Sequence, residues 1–323
     1  MPSILSHYYM AMHVKESLSS DALVSTIEKY PSEFIIGAQG PDIWLYHYAI
    51  PWKNGEICAV SDELGELVHA ERVNDFFADC LNTIRYTENE EKTLAMISYV
   101  AGHLCHWALD STAHPFIYYR TDGTTEETRY WHCRYEAMLD NYMMDFLREE
   151  KRDFQPIRKL LNHDDLCEDA IQEVYYSAFK HVWNIEIADG FARDALKDFK
   201  TILTWTNREG LLYRTLALAE TLMHSDWKYT SHFITGKKDD TRDILNLTHQ
   251  RWFHPCDASE VHNESFIELL EQSVEKGSKA LDLFADALGK KEDEQLLLDF
   301  IGNRNYETGY DHKESMKYFN PIY

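Results

Sequence analysis

No C-x-x-C pair occurs in this chain; its six cysteines stand apart at positions 58, 80, 105, 133, 167 and 256. That spacing excludes a Cys-type zinc finger and offers no disulfide framework, so it reads as ordinary reduced-thiol usage. Basic residues are scarce: 32 Lys and Arg face 55 Asp and Glu, a formal charge of −23. A protein that holds DNA or an anionic membrane through a broad basic face needs clustered Lys and Arg, and this composition argues against nucleic acid as a partner. A buried metal would still reverse the field locally. No run reaches the roughly 18 apolar residues of a membrane-spanning helix, so no stable membrane insertion is expected. The opening Met-Pro-Ser-Ile-Leu-Ser-His-Tyr-Tyr has neither a basic segment nor a long apolar one. No signal peptide is read there, and a cytoplasmic location is expected.

Punctuation is sparse too, with 13 Gly and 8 Pro in 323 residues, and strand-like alternation is nearly absent. The patterned segments are therefore long and helical. Leu64, Leu67, Val68, Val73, Phe76 and Phe77 recur at helical spacing, with Ser61 in the place of a cap. Thr87-x-x-Glu90 has the capping-box pattern ahead of Leu94, Ile97, Val100, Ala101, Leu104 and Ala108. That helix is expected to end where Pro115 discourages continuation. Further helices are predicted over 127–150, after Asp164 to near Gly190, across much of 190–228, and from an Asn263 cap to Gly289. The stretches 37–44 and 115–126 read as functional loops, each carrying Gly or Pro beside aromatics. With 44% hydrophobic residues and no repeat or linker, the expectation is one all-α domain over 1–323. Its part beyond about 230 should form a helical wrap or cap.

Sixteen histidines are the compositional oddity, and they cluster. In Gly102-His103-Leu104-Cys105-His106-Trp107-Ala108-Leu109-Asp110-Ser111-Thr112-Ala113-His114-Pro115, the residues His106, Asp110 and His114 are each four apart. Steps of four share one helix face, and His132 with Glu136 repeats the step on the next helix. Imidazole and carboxylate at i, i+4 is how one helix grips a metal with two side chains. At ~1.5 Å rise, His106 and His114 lie about 12 Å apart along an ideal axis, too far to share one ion. If both are ligands there are at least two metals, with Asp110 as the natural bridge and the second helix completing the ion that His114 begins. Metals flanking a carboxylate suit phosphoester hydrolysis. The plainer reading is a set of solvated His–Asp pairs. Against it, both pairs sit within apolar periodicity, where unpaired His, Asp and Glu need a compensating cation.

These residues resemble the zinc-dependent phospholipase C family, whose wider fold also holds fungal single-strand-specific nucleases. The resemblance rests on His7 in Ser-His-Tyr-Tyr, Gly-Pro-Asp at 40–42, His69 in Val-His-Ala-Glu-Arg, the His106/Asp110/His114 helix and His132/Glu136. Asn246-Leu247-Thr248-His249-Gln250-Arg251-Trp252-Phe253-His254-Pro255 and Asn263-Glu264-Ser265-Phe266 look like a bacterial branch of that family. What it implies is an all-helical fold around two to three Zn2+ ions. One would be held by Asp42, His69, His106 and Asp110, and a second by His114, His132 and Glu136. A third would use His7, with Asp110 bridging and a free amino terminus completing it. That third ion has the least support, because secreted members expose a processed terminus and Met1 opens this sequence. The segment between Asp110 and His114 is shorter than in the secreted bacterial enzymes and suits the branch resembling glycosylphosphatidylinositol-specific phospholipases. The resemblance also makes Asp42 the candidate general base.

Other features are read as structural. His103 is second-sphere or core. His163-Asp164 is a helix cap rather than an HD-type phosphohydrolase pair. Cys105 and Cys133 adjoin ligands but turn ~100° away and act as small buried hydrophobes. Trp44, Tyr46, Tyr118, Tyr119 and Trp131 are core, or line a cleft, and Trp252 and His254 are placed over the site. The expected activity is hydrolysis of a small phosphodiester or phospholipid headgroup bond. A nuclease or nucleotidase would add an aromatic slot for a base, and a silent metal-stabilised scaffold would close its coordination sphere.

Overall fold

The computed structural model describes residues 4–48, 55–150, 166–206, 211–223 and 241–323. In chain order these form α1 (Ile4–Ser17), α2 (Asp21–Lys29), α3 (Pro31–Gly37), a 3-10 helix (Gly40–Tyr46), α4 (Gly55–Ala70), α5 (Val73–Tyr86), α6 (Glu90–Thr121) and α7 (Glu126–Glu149). Then follow α8 (Glu168–Val182), α9 (Phe191–Thr206), α10 (Leu211–Met223), the strands β1 (Trp252–His254) and β2 (Asp257–His262), α11 (Phe266–Gly289), a 3-10 turn (Lys291–Asp293) and α12 (Glu294–Ile301). The fold is predominantly helical. Among the described residues the one sheet is the antiparallel pair β1–β2, which pairs Trp252 with His262 and shifts register after Phe253. No helix among them is long and apolar enough to cross a membrane.

The axis of the fold is α6, a 32-residue helix buried over most of its length from Ala95 to Thr121. Helices α3 and α11 lie along it, α1 packs on α6, α7 and α11, and α8 joins α5 to α6. Small residues permit the closest approach. A Cβ on Gly37 would lie 2.1 Å from the Tyr99 carbonyl oxygen, and one on Gly102 would lie 2.1 Å from that of Phe34. The start of α6 is capped by Asn89, whose side chain accepts from the Lys92 N–H at 3.0 Å. The capping box at Thr87 and Glu90 does not form; the Thr87 hydroxyl donates instead to the Thr83 carbonyl. Pro115 does not end the helix either. An interior proline costs about 3 kcal/mol, which burial of Phe116 and Ile117 at roughly 1.5–3 kcal/mol each offsets.

Other boundaries also differ from the sequence reading. Ser61 lies inside α4, where its hydroxyl donates to the Ile57 carbonyl and contacts His47 Nδ1, so it is not a cap. The pattern expected as one helix breaks at Arg72, whose left-handed φ of 56° turns the chain from α4 into α5. The segment at 40–46 is 3-10 helix and residues 115–121 are α-helix, so neither is the loop expected. Helix α8 stops at Val182, and α11 is capped by Ser265 in a capping box with Glu268, not by Asn263. The hairpin at 252–262 is short, and its second strand is mostly exposed, so it leaves no hydrophobic alternation to read. The pair His163-Asp164 and the chain's amino terminus lie outside the described residues.

Candidate metal centre

Four elements converge on the middle of α6. The four-residue step places His106, Asp110 and His114 on one buried face. The 3-10 helix brings Asp42 in its first turn after Pro41. Its approach depends on Gly40, which has φ +51° and sits so close that a Cβ would lie 2.5 Å from the His106 ring. The Gly40 carbonyl accepts from the Tyr175 hydroxyl at 3.0 Å, which itself accepts from Tyr99 at 2.9 Å. Helix α4 contributes His69 in its last turn, α7 contributes His132 and Glu136, and α1 contributes His7. The first turn of α1 is fastened by Asp140 of α7, whose carboxylate accepts from the Leu5 and Ser6 N–H groups, each at 2.9 Å.

The donor atoms fall into three groups: His7 with His106 and Asp110; Asp42 with His69 and His106; His114 with His132 and Glu136. His69 Nε2 lies 3.2 Å from Asp42 Oδ1, and His106 Nε2 lies 2.9 Å from Asp110 Oδ2. Asp110 Oδ1 is 3.2 Å from His7 Nε2, and the His7 ring stacks on His106 at 4.1 Å. On the other side, Glu136 Oε1 is 3.1 Å from His132 Nε2 and 3.8 Å from His114 Nε2. Asp110 thus faces His7 and His106 but does not belong to the group around His114. The first two groups share the single Nε2 of His106. Two ions therefore fit without competition, and a third needs His7, Asp110 and a further donor.

The outward nitrogens settle which atom faces in. Carbonyls of Ala38, Gly65 and Tyr306 accept from Nδ1 of His106, His69 and His114 at 3.1, 2.8 and 2.9 Å. His132 Nδ1 donates to the Thr121 hydroxyl oxygen at 3.0 Å, because that hydroxyl already donates to Ile117. Each Nδ1 carries a proton, so each ring in its neutral form turns the Nε2 lone pair into the cluster, the arrangement that outer partners impose on metal-binding histidines. Buried Nε2 of His106 and His114, Oδ1 of Asp42, and both oxygens of Asp110 make no hydrogen bond. Buried polar atoms are left this way at a cost of about 1–3 kcal/mol each unless something else meets them. The donor set of imidazoles and carboxylates fits Zn2+.

Electrostatics point the same way. Burial holds down the pKa of His106 and His114, but Asp110 (with Asp42 for His106, and with Glu136 for His114) outweighs it and raises both above 6.5. Burial also opposes ionisation of Asp110, yet His106, His114 and His7 keep it well below the usual carboxylate range. His103 is pushed well below 6.5, first by burial and then by His106 and His69. It takes no part in the clusters. In the metal-free protein the pairs of His106 and His114 with carboxylates need the charged imidazole. Their stabilisation is full below pH 6.5 and is lost as pH rises through the raised values. A metal needs the neutral ring, so protons compete with it. The rise in thermal midpoint on adding Zn2+ should grow as pH is raised from 6 to 8, in melts with and without metal; an unchanged rise would mean these rings are not displaced protons.

The remaining sequence expectations sort by contact. Cys133 is pushed up to about 11 by burial, and neither it nor Cys105 joins the donor groups. Trp44 is wholly buried among Tyr175, Phe179 and Phe191, Tyr46 packs on Phe199, and Tyr119 packs on Trp252 and Phe253. Tyr118 does flank the centre, with its ring 4.6 Å from that of His132, while Trp131 stacks on Tyr323. Trp252 faces Phe116 and His262, and His254 contacts the Thr308 carbonyl, so both brace the C-terminal region instead of covering the cluster. Two residues escaped the sequence reading. Asp140 continues the His132/Glu136 step by four more residues, a signal that was available. Tyr306 lies in a loop with no periodicity to mark it.

A predominantly helical fold enclosing paired His/carboxylate clusters is that of a metal-dependent phosphoester hydrolase. The family model described as zinc dependent phospholipase C matches residues 6–185, and the chain belongs to that family. It is a zinc-dependent hydrolase. No curated protein and no solved structure matches it.

Proposed function

We propose that the centre holds two Zn2+ ions and hydrolyses a small phosphodiester or phospholipid headgroup ester, the whole chain acting as one catalytic domain. Asp42, His69, His106 and Asp110 would hold one ion, and His114, His132 and Glu136 the other, with His7 and Asp110 available to a third. The observation that carries this is the set of inward Nε2 lone pairs beside buried carboxylate oxygens that no proton satisfies. Bound metals supply a water of lowered pKa and neutralise charge on the phosphoryl oxygens. Within the chain, Asp42 is the acceptor for that water's proton. The carbonyls behind His69, His106 and His114 hold the rings, and Gly40 brings Asp42 against His106.

A pocket of about 440 Å3 beside the His69 end of α4 is lined by Glu63, Glu66, Glu71, Glu307 and Glu314, with Lys313. Those carboxylates repel a polynucleotide laid across the surface, while a single neutral or cationic headgroup meets no such barrier. This favours the small ester over the nuclease reading. The test is metal content: protein purified with zinc should carry two equivalents, or three with the His7 position filled. Chelation should lower its thermal midpoint by several degrees, since ligand at a hundredfold excess over Kd contributes about 2.7 kcal/mol per site. Protein that takes up no metal under zinc-replete conditions and melts unchanged with chelator would sink the proposal.

A further inference from the structure

Beyond the span matched to the family, the loop around Tyr306 reaches several histidines of the centre. The Tyr306 carbonyl accepts from His114 Nδ1 at 2.9 Å, and the Tyr306 N–H donates to the His69 carbonyl at 2.9 Å. Its ring lies edge-on to His69 at 5.3 Å and tilted against His106 at 5.7 Å. Its hydroxyl and His103 Nε2 share a hydrogen bond of 3.0 Å. Tyr306 is itself wholly buried. One residue therefore reaches three of the rings, on both sides of Asp110.

The loop is held rigidly. Asn305 Oδ1 accepts from the Glu307 and Thr308 N–H groups at 3.0 and 2.7 Å, and its amide donates to the Tyr310 carbonyl at 2.9 Å. Trp107 of α6 donates its indole N–H to the Arg304 carbonyl at 2.8 Å, and His254 contacts the Thr308 carbonyl at 2.9 Å. The hairpin and α6 thus clamp the loop from two directions. Rings fixed by such partners lose less freedom when they bind metal, and removing the partners typically costs roughly 10–100-fold in metal affinity.

We propose that Tyr306 is a positioning residue of the metal centre, its backbone aiming His114 and its ring walling His69 and His106. This rests on the reading of those three histidines as ligands. The expected effects are site-specific. Tyr306→Ala, which keeps the backbone but removes the wall, should weaken the ion at His69 and His106 roughly 10–100-fold. Asn305→Ala, which frees the turn that aims the carbonyl, should weaken the ion at His114 to a similar degree. Tyr306→Phe loses only the bond to His103 and should bind as wild type does. Zn2+ affinity is read by chelator competition, and geometry by the visible absorption of the Co2+-loaded proteins. Leu281→Ala, a buried change in α11, serves as the control for general destabilisation. If neither loop variant binds metal more weakly than that control, the proposal fails. A measurement without variants covers loss of folding: in metal-loaded wild type, the His114 Nδ1 proton should be observed by nitrogen-resolved NMR in slow exchange with water. Rapid exchange overturns the proposal. Wild type that binds no metal overturns instead the ligand reading beneath it.

Discussion

Asp110→Ala should be the most damaging single ligand change, lowering turnover on the order of 10²–10³-fold or more. The carboxylate is fully buried, with Oδ1 facing His7 and Oδ2 facing His106 at 2.9 Å and His69 at 3.9 Å. His114 Nδ1 lies 3.8 Å from Oδ2 as well, so this one carboxylate has four imidazoles within 4 Å. Removing it takes a donor from the larger cluster and strips the charge that holds His106 in its charged state in the metal-free protein. Breaking a buried pair in this way costs about 3–5 kcal/mol, so the variant should also melt lower without metal. His132→Ala behaves differently. It removes one of three donors from the smaller cluster and leaves the Asp42, His69, His106 and Asp110 atoms in place. Elemental analysis should find each single variant short of metal at its own cluster, and the double variant short at both. A double variant that loses no more metal than either single change would mean that the two clusters are one site.

How much of this was legible in the sequence depends on how local each cause is. The α6 stripe of His106, Asp110 and His114 follows from a four-residue step that any helix enforces, and so does the His132/Glu136 pair. His7, Asp42 and His69 carry no such period, and only resemblance to the family singled them out. Their convergence is tertiary. It depends on Gly40 touching the His106 ring, on Asp140 fastening the start of α1, and on the Arg72 turn that ends α4 just after His69. Helix ends were read less well because competing caps were available: Asn89 outcompetes Thr87 at α6, and Ser265 outcompetes Asn263 at α11. Pro115 was overridden by burial on both sides of it. Tyr306 is invisible because its contact to His114 is made by backbone, which every residue possesses, and its loop has no period to place the ring.

Asp42→Asn should separate metal binding from chemistry. The amide keeps one oxygen near His69 Nε2, where Asp42 Oδ1 lies at 3.2 Å, so much of the metal should remain. The amide cannot accept a proton as the carboxylate does, and a positioned general base contributes typically about 10²–10⁴-fold. The expected result is a near-normal zinc content with turnover reduced within that range. Loss of metal in proportion to loss of rate would make Asp42 a ligand only. The substrate panel belongs to the same experiment, because the wild-type rate sets the scale. Small diesters such as p-nitrophenylphosphorylcholine should turn over fastest, intact bilayers more slowly, and single-stranded DNA least. The order follows from charge: the glutamates beside the His69 end of α4, within a chain of net −23, act over a Debye length of about 8 Å on whatever crosses that surface. A polynucleotide must cross it with many phosphates and a headgroup with one. Raising the salt should therefore help DNA far more than the choline ester. Turnover of single-stranded DNA well above that of the choline ester at physiological salt would replace the phospholipase reading with a nuclease working through the same metals.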